Sequence, residues 1–284
     1  MKKYKILMSV GVTLFAVGAG IVLYPHISNR IYDSRMKTVI TQYDEKVDEM
    51  YNSTDTEAIE SEIAEIKKEH TDTDYTIEDY IRDKNIKIPE KNDRHEGTDS
   101  DEGMNWALIS LLREQMEEYN RNLIENGQYD LNDPFSYEQA SFDLYSYSIY
   151  DNVFGHISAP SIGMDLPIYL GANLDNMAKG AVHLSNSSMP IGGESTNAVF
   201  AGHRGIIGKI FFDNIVFLEE GDDVYVTNPW ETLHYRVIET DIISPYDIER
   251  CYIREGKDLI TLITCHPYGY TDFRYLVVCE RTDD

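Results

Sequence analysis

The hydrophobic pattern divides the chain into three regions with different periods. Lys2, Lys3 and Lys5 precede an unbroken uncharged run from Ile6 to Tyr24, which Pro25 closes. A helix of that length, at ~1.5 Å per residue, just crosses a hydrocarbon core of ~30 Å. The lysines are expected to stay in the cytoplasm, which puts everything after Pro25 outside. The competing reading is a cleaved signal peptide. Against it, the run is longer than the usual ~7–15-residue apolar region, and no A-x-A site follows it. Residues 1–28 therefore read as a cytoplasmic tip and an uncleaved transmembrane anchor.

Residues 29–127 follow as an acidic segment with helical periodicity. Thr54 or Asp55 can cap a helix in which Ile59, Ile63 and Ile66 share a face. A second stripe runs Met104, Leu108, Leu111, Leu112, Met116, Tyr119 and Leu123, with Gly127 as its stop. Two amphipathic helices packed on the main body are the expectation. Between them, Asp-Ser-Asp-Glu-Gly at 99–103 loosely resembles a calcium loop but lacks the spacing and the terminal bidentate glutamate.

From Phe142 the period changes to two. Ile162, Met164, Leu166, Ile168 and Leu170 alternate with Gly163, Asp165, Pro167 and Tyr169, the pattern of a half-buried strand, with Pro160 and Pro167 marking an edge or bulge. Further short runs are Ala198–Ala201, Asp223–Thr227, Leu233–Thr240, Asp258–Thr264 and Arg274–Glu280, separated by turn clusters at 190–194, 221–222, 228–229 and 267–271. Residues 141–284 thus read as an all-β sandwich or barrel.

Charge and cysteine count narrow the chemistry. A formal net charge of −25 argues against nucleic acid, whose phosphates call for clustered Lys and Arg. The cysteines, Cys251, Cys265 and Cys279, are odd in number, so at least one thiol stays free, and their spacing matches no zinc knuckle. Cys251 and Cys279 can pair or lie in the core, and the core is the expectation.

Three segments at the ends of strand-like runs carry candidate chemistry. Ala201-Gly202-His203-Arg204-Gly205 delivers a histidine flanked by glycines that allow a sharp turn. Thr261-Leu262-Ile263-Thr264-Cys265-His266-Pro267-Tyr268-Gly269 delivers a cysteine to the end of a β-branched run. Arg274 opens the next run, beside Cys265 if the two form a hairpin. A thiol, an imidazole that moves its proton and a guanidinium that steadies an oxyanion make a coherent acyl-transfer set. Zinc held by His203, Cys265 and His266 lacks an obvious fourth ligand, and the order of histidine before cysteine argues against a papain-like protease.

These segments resemble the sortase signature. Similarity to class C, pilin-polymerising sortases extends over roughly Tyr119 to Arg281. It includes Ile162-Gly163, Leu166-Pro167-Ile168-Tyr169, His183, Met189-Pro190-Ile191-Gly192-Gly193 and Phe211–Asn214. The resemblance implies a mainly β fold: a closed sortase-type β-barrel with short helices, behind the helical segment and the anchor. It implies Cys265 as nucleophile, His203 as proton partner and Arg274 as oxyanion stabiliser, with Thr264 and Leu262 in contact with substrate and no metal or organic cofactor. Residues 128–140 correspond to the class C lid, with Asp133 and Pro134 in its Asp-Pro-aromatic motif. Asp133 is expected at Arg274, and Phe135 over Cys265.

The implied substrates are surface or pilin proteins with a Leu-Pro-X-Thr-Gly-like signal, and the acceptor is a pilin lysine or a cell-wall amine. The implied location is the outer face of a Gram-positive-type membrane. Other readings are a sortase that anchors proteins to peptidoglycan and a non-catalytic barrel scaffold or adhesin. The scaffold reading expects a buried, inert Cys265, whereas the enzyme expects a thiol near the surface with a depressed pKa. The chain departs from the pattern in Asp272-Phe273, where Thr-His is usual, and in Cys279, where glycine is common. A second membrane helix after the barrel is also usual in class C, and this sequence stops at Asp284.

Overall fold

The computed structural model describes residues 2–69, 76–89, 103–128, 131–206 and 210–282. The run at 99–102 therefore lies outside the described residues.

The first helix, α1 (Lys2–Ser53), does not stop where its apolar run ends, and Pro25 lies inside it. Downstream of Pro25, Met36, Ile40, Tyr43, Val47 and Met50 repeat at alternating steps of four and three, the spacing of one helical face. That face packs against the barrel, where the Tyr43 hydroxyl donates to Phe154 O at 3.0 Å. Packing of this stripe outweighs the single backbone hydrogen bond that Pro25 cannot make. Among the described residues α1 alone is long and apolar enough to cross a membrane, and its apolar window is not buried by protein.

Among the described residues the acidic segment forms three further helices where two were expected. In α2 (Thr56–Glu69), Asp55 caps the start by accepting from Ala58 N–H at 3.0 Å. The short α3 (Ile77–Asp83) begins with a reciprocal capping box between Thr76 and Asp79. Asn105 caps α4 (Trp106–Asn126), which ends at Gly127 with φ +82°. Ile77, Tyr80 and Ile81 of α3 pack with Ala107, Leu108 and Leu111 of α4 in a second small core, with Ile59 and Ile63 at its margin.

The body is a closed eight-stranded barrel. Its strands are β1 (Gly155–Ala159), β2 (Met164–Leu170), β3 (Ala181–His183), β4 (Thr196–Ala201), β5 (Asp223–Thr227), β6 (Thr232–Ile243), β7 (Asp258–His266) and β8 (Phe273–Arg281). Around the barrel the order is β1-β2-β3-β4-β7-β8-β6-β5, and a short helix α5 (Leu174–Met177) links β2 to β3. Closure removes the free strand edges that an open sheet would expose. The expected alternation in β2 gives way to near-complete burial, with Tyr169 only 5% exposed, because α1 covers the outer face.

The ends of the barrel follow from the pairing. β2 runs parallel to β3, β4 runs parallel to β7, and β8 runs antiparallel to both β7 and β6. One end therefore gathers the finishes of β4, β6 and β7 with the starts of β2, β3 and β8. Cys251 and Cys279 are free and fully buried, as core residues should be.

Candidate active site

The site is assembled at that end by strand register. In the parallel β4–β7 pair, Ala201 lies opposite Ile263, and Gly202 N–H then donates to Ile263 O at 3.3 Å. Thr264 Oγ1–H returns a bond to Gly202 O at 2.7 Å, so the last turn of chain before His203 is clasped to the strand that carries Cys265. Any side chain at position 202 would put its Cβ 2.7 Å from the Phe212 ring, which is why glycine stands there. In the antiparallel β7–β8 pair, Cys265 lies directly opposite Arg274. The hairpin expected to bring thiol and guanidinium together is therefore present.

His203 sits among rings: Phe135 at 6.0 Å, Tyr137 at 5.9 Å and Phe211 at 6.3 Å between centroids. Its carbonyl accepts from Phe212 N–H at 3.0 Å. Arg274 is only 4% exposed, and every nitrogen of its guanidinium is used. Nε and Nη2 donate to the two Asp133 carboxylate oxygens at 2.7 and 2.8 Å, and Nη1 donates to Thr271 O and Phe273 O, both at 2.9 Å. A two-pronged guanidinium–carboxylate pair of this kind is among the stronger polar contacts a protein makes.

Asp133 belongs to a segment that crosses this end of the barrel. Pro134–Ser136 form one 3₁₀ turn, begun by Asp133 and closed by Tyr137 at φ +59°. Leu131 and Pro134 are buried and hold the segment down. Asp133 reaches Arg274, as the motif implied. Phe135 lies against the guanidinium, whose carbon is 4.8 Å from the ring centre, and beside the His203 and Tyr137 rings.

Cys265 is 7% exposed, and its thiol is pushed up to about 11. Burial is the main cause and the Asp133 charge adds to it, while Arg274 and Arg204 pull the other way. This reverses the depressed, surface-near thiol expected of the enzyme. The physical reason is the segment overhead, which excludes water and places a carboxylate against the arginine that would otherwise stabilise a thiolate.

Thr264 and Leu262, expected to touch substrate, are fully buried. Thr264 serves the clasp to Gly202, and Leu262 belongs to the core, so neither offers surface to a ligand in this form. The three-ligand zinc arrangement is not assembled either. His266 Nδ1 lies 3.4 Å from Arg204 Nη1, and among the described residues no group of three or more His, Cys, Asp or Glu is placed to hold a metal.

Sequence reasoning missed Tyr137, whose raised phenol is buried first of all and also feels Cys265. It also missed Asp213, which accepts from Gly205 N–H at 3.0 Å and so fixes the loop after His203. Only the proximity of Tyr137 to Asp-Pro-Phe could have signalled the first, and the Phe211–Asn214 stretch of the resemblance marked the place of the second but not its role.

A closed barrel with cysteine, histidine and arginine converging at its strand ends defines a class of acyl-transfer protein. Residues 157–282 match the family description "Sortase domain". Sortase C-1 from Actinomyces oris is 35% identical, with a TM-score of 0.56 covering 62% of this chain and 98% of that one. The pilus-related sortase C of Group B Streptococcus is 33% identical, with a TM-score of 0.56 covering 62% and 89%. Sortase D of Bacillus subtilis (strain 168) is 28% identical over 130 residues, which is 45% of this chain and 63% of that protein's length. The chain belongs to the sortase family, whose members are cysteine transpeptidases.

Proposed function

We propose that the protein is a membrane-anchored sortase that cleaves a Leu-Pro-X-Thr-Gly-like signal between Thr and Gly and passes the acyl group to an amine, a lysine side chain of a pilin. The observation that carries this reading is the Asp133–Arg274 pair at 2.7 and 2.8 Å, which ties the segment over the site to the residue opposite Cys265. Likeness to sortases of the C type, one of them titled pilus-related, supports the choice of acceptor.

The mechanism starts when Asp133 leaves Arg274 and the segment lifts as a lid. Cys265 then passes its proton to His203, water and Arg274 favour the resulting thiolate, and the thiolate attacks the Thr carbonyl carbon. The guanidinium donates to the oxygen that becomes negative in the tetrahedral intermediate. Protonated His203 gives its proton to the departing glycine amine, the C–N bond breaks and a thioester remains. The neutral imidazole next removes a proton from the incoming amine, which attacks the thioester and expels Cys265 as its thiolate beside the reprotonated His203. α1 anchors the enzyme with its lysines inside the cell and the barrel at the outer surface.

Mass spectrometry of the protein incubated with Leu-Pro-X-Thr-Gly peptides tests the chemistry. A thioester adduct is expected, absent in Cys265→Ala and increased in Asp133→Ala. An adduct that persists in Cys265→Ala would sink the nucleophile assignment, and one indifferent to Asp133 would remove the lid.

A further inference from the structure

Two loops beside the site are built as one ledge. Gly205, at φ +83°, comes so close to Gly269 that an added Cβ would lie 2.8 Å from its nitrogen. The Arg204 guanidinium lies over the Tyr268 ring at 5.4 Å, and its Nε donates to Asp213 O at 3.3 Å. This joined ledge holds large apolar and aromatic side chains in the open: Ile206 40%, Ile210 44%, Phe217 69%, Tyr268 59% and Tyr270 65% exposed. At the opposite end of the barrel exposed apolar side chains are fewer and apart, Leu174 on α5 and Ile124 on α4. An apolar rim of this kind marks an interaction surface.

The course of α1 says what covers it. Tyr32 packs edge-on against Phe211 at 5.2 Å, and Phe211 in turn neighbours the His203 ring. Asn29, Arg30 and Met36 line a cleft shared with Met164, Ile210 and Phe211. From Tyr24, where the apolar run ends, to Asn29 and Tyr32 is about 8–12 Å of helix. The headgroup layer on one side of a bilayer is about 5–8 Å thick. Asn29 therefore lies at the outer edge of the headgroup layer, and the near side of the ledge, at Ile210 in the cleft shared with Asn29, meets that layer, where tyrosine and other amphipathic rings settle. Nearby charges have both signs, Arg30 and Arg204 beside Asp33 and Asp213, so the contact is apolar and does not depend on anionic lipid.

We propose that the ledge formed by Ile206, Ile210, Phe217, Tyr268 and Tyr270 rests in the interface of the same bilayer that α1 spans, a second membrane contact that holds the site at the lipid surface. The proposal rests on the anchoring of α1 proposed above. It makes the membrane part of the cleft's surroundings, so that a signal peptide next to its own membrane segment meets the thiol without leaving the interface.

Single tryptophans test it in the full chain reconstituted into zwitterionic vesicles with brominated acyl chains. Phe15→Trp, at the middle of the apolar run, reports anchoring. Ile210→Trp and Phe217→Trp report the ledge, and Leu174→Trp reports the far end. Emission from the unsubstituted chain, which contains Trp106 and Trp230, is subtracted. Phe15→Trp should be quenched best by deep bromines. Both ledge variants should be quenched by shallow bromines, several-fold more than Leu174→Trp and equally at high salt. Quenching of Phe15→Trp with ledge variants no different from Leu174→Trp would overturn the ledge and leave the anchor standing. No quenching of Phe15→Trp would overturn both. Ledge variants that ignore bromine but shift on adding a sorting peptide would assign the ledge to substrate instead.

Discussion

The two ends of the barrel are closed by different physics. At the end away from Cys265, α4 lays Ile109, Leu112 and Met116 on the core, all essentially unexposed. Two amides there are satisfied in place: Asn120 accepts from Met189 N–H at 2.7 Å and donates to Met189 O at 3.3 Å, and Asn228 donates to Pro190 O at 3.2 Å. Opening that end would expose several side chains, each worth about 1.5–3 kcal/mol of burial. The end that holds Cys265 is covered by one short segment held by an ion pair, an aromatic contact and two buried anchors. In the lid opening proposed above, water would take up both Asp133 and Arg274, so most of the electrostatic loss would be returned. An apolar seal is a permanent wall, whereas an ionic seal over an arginine is exchangeable for another negative oxygen.

The contrast is breakable at either end. Leu112→Ala at the apolar end should cost about 2–5 kcal/mol in urea unfolding and leave Cys265 alkylation by iodoacetamide unchanged. A cost under about 1 kcal/mol would deny that this end is a packed wall. His183 belongs to the same end. It is fully buried, with Nε2–H donating to Ser188 O at 2.9 Å, and burial holds it down at about 4. Because its unfolded value is ~6.5, the unfolded chain binds more protons between the two, so this contribution is whole above ~6.5 and drains as pH falls toward the folded value. The loss is up to about 3 kcal/mol, and His183→Gln should flatten that part of the stability–pH curve. An unchanged slope would refute the assignment.

At the ionic end, effects should appear in reactivity and not in stability. Asp133→Ala should lower the Cys265 pKa from its present value of about 11, since it removes a charge and releases the cover. Alkylation at neutral pH should then rise about tenfold or more, with a smaller loss of stability than Leu112→Ala. No rise would mean that the segment does not gate the thiol. Phe135→Ala removes only the ring over the guanidinium and should raise alkylation about two- to fivefold. An effect larger than that of Asp133→Ala would make the ring, and not the carboxylate, the latch.

Some of this architecture was readable locally. The run Asp223–Thr227 is β5 without change, because alternation marks a strand with one wet face. Asp258–Thr264 and Arg274–Glu280 fall inside β7 and β8, which are buried on both faces along most of their length and were marked by short β-branched, apolar runs between turns. The alternation of β2 misled because α1 covers its second face. The continuation of α1 was legible in Met36, Ile40, Tyr43, Val47 and Met50 but hidden behind Pro25, and α3 was legible only in the Thr76–Asp79 capping pair. Among the site residues, His203, Cys265 and Arg274 stood out because each lies where a strand-like run meets a turn. The resemblance implied substrate contact for Thr264 and Leu262, yet a strand in a closed barrel places them in the wall.

The sequence alone therefore determined the apolar run, the acidic helices, the strand periods and the residue types an acyl transfer requires, since each depends on neighbours a few positions away. Tertiary structure decided the rest. Pairing β4 with β7 and β7 with β8 set Cys265 opposite Arg274 and clasped the chain before His203, and the crossing of residues 131–137 shut the site and raised its thiol. Those outcomes depend on closing a barrel between residues far apart in the chain, where local pattern has no reach.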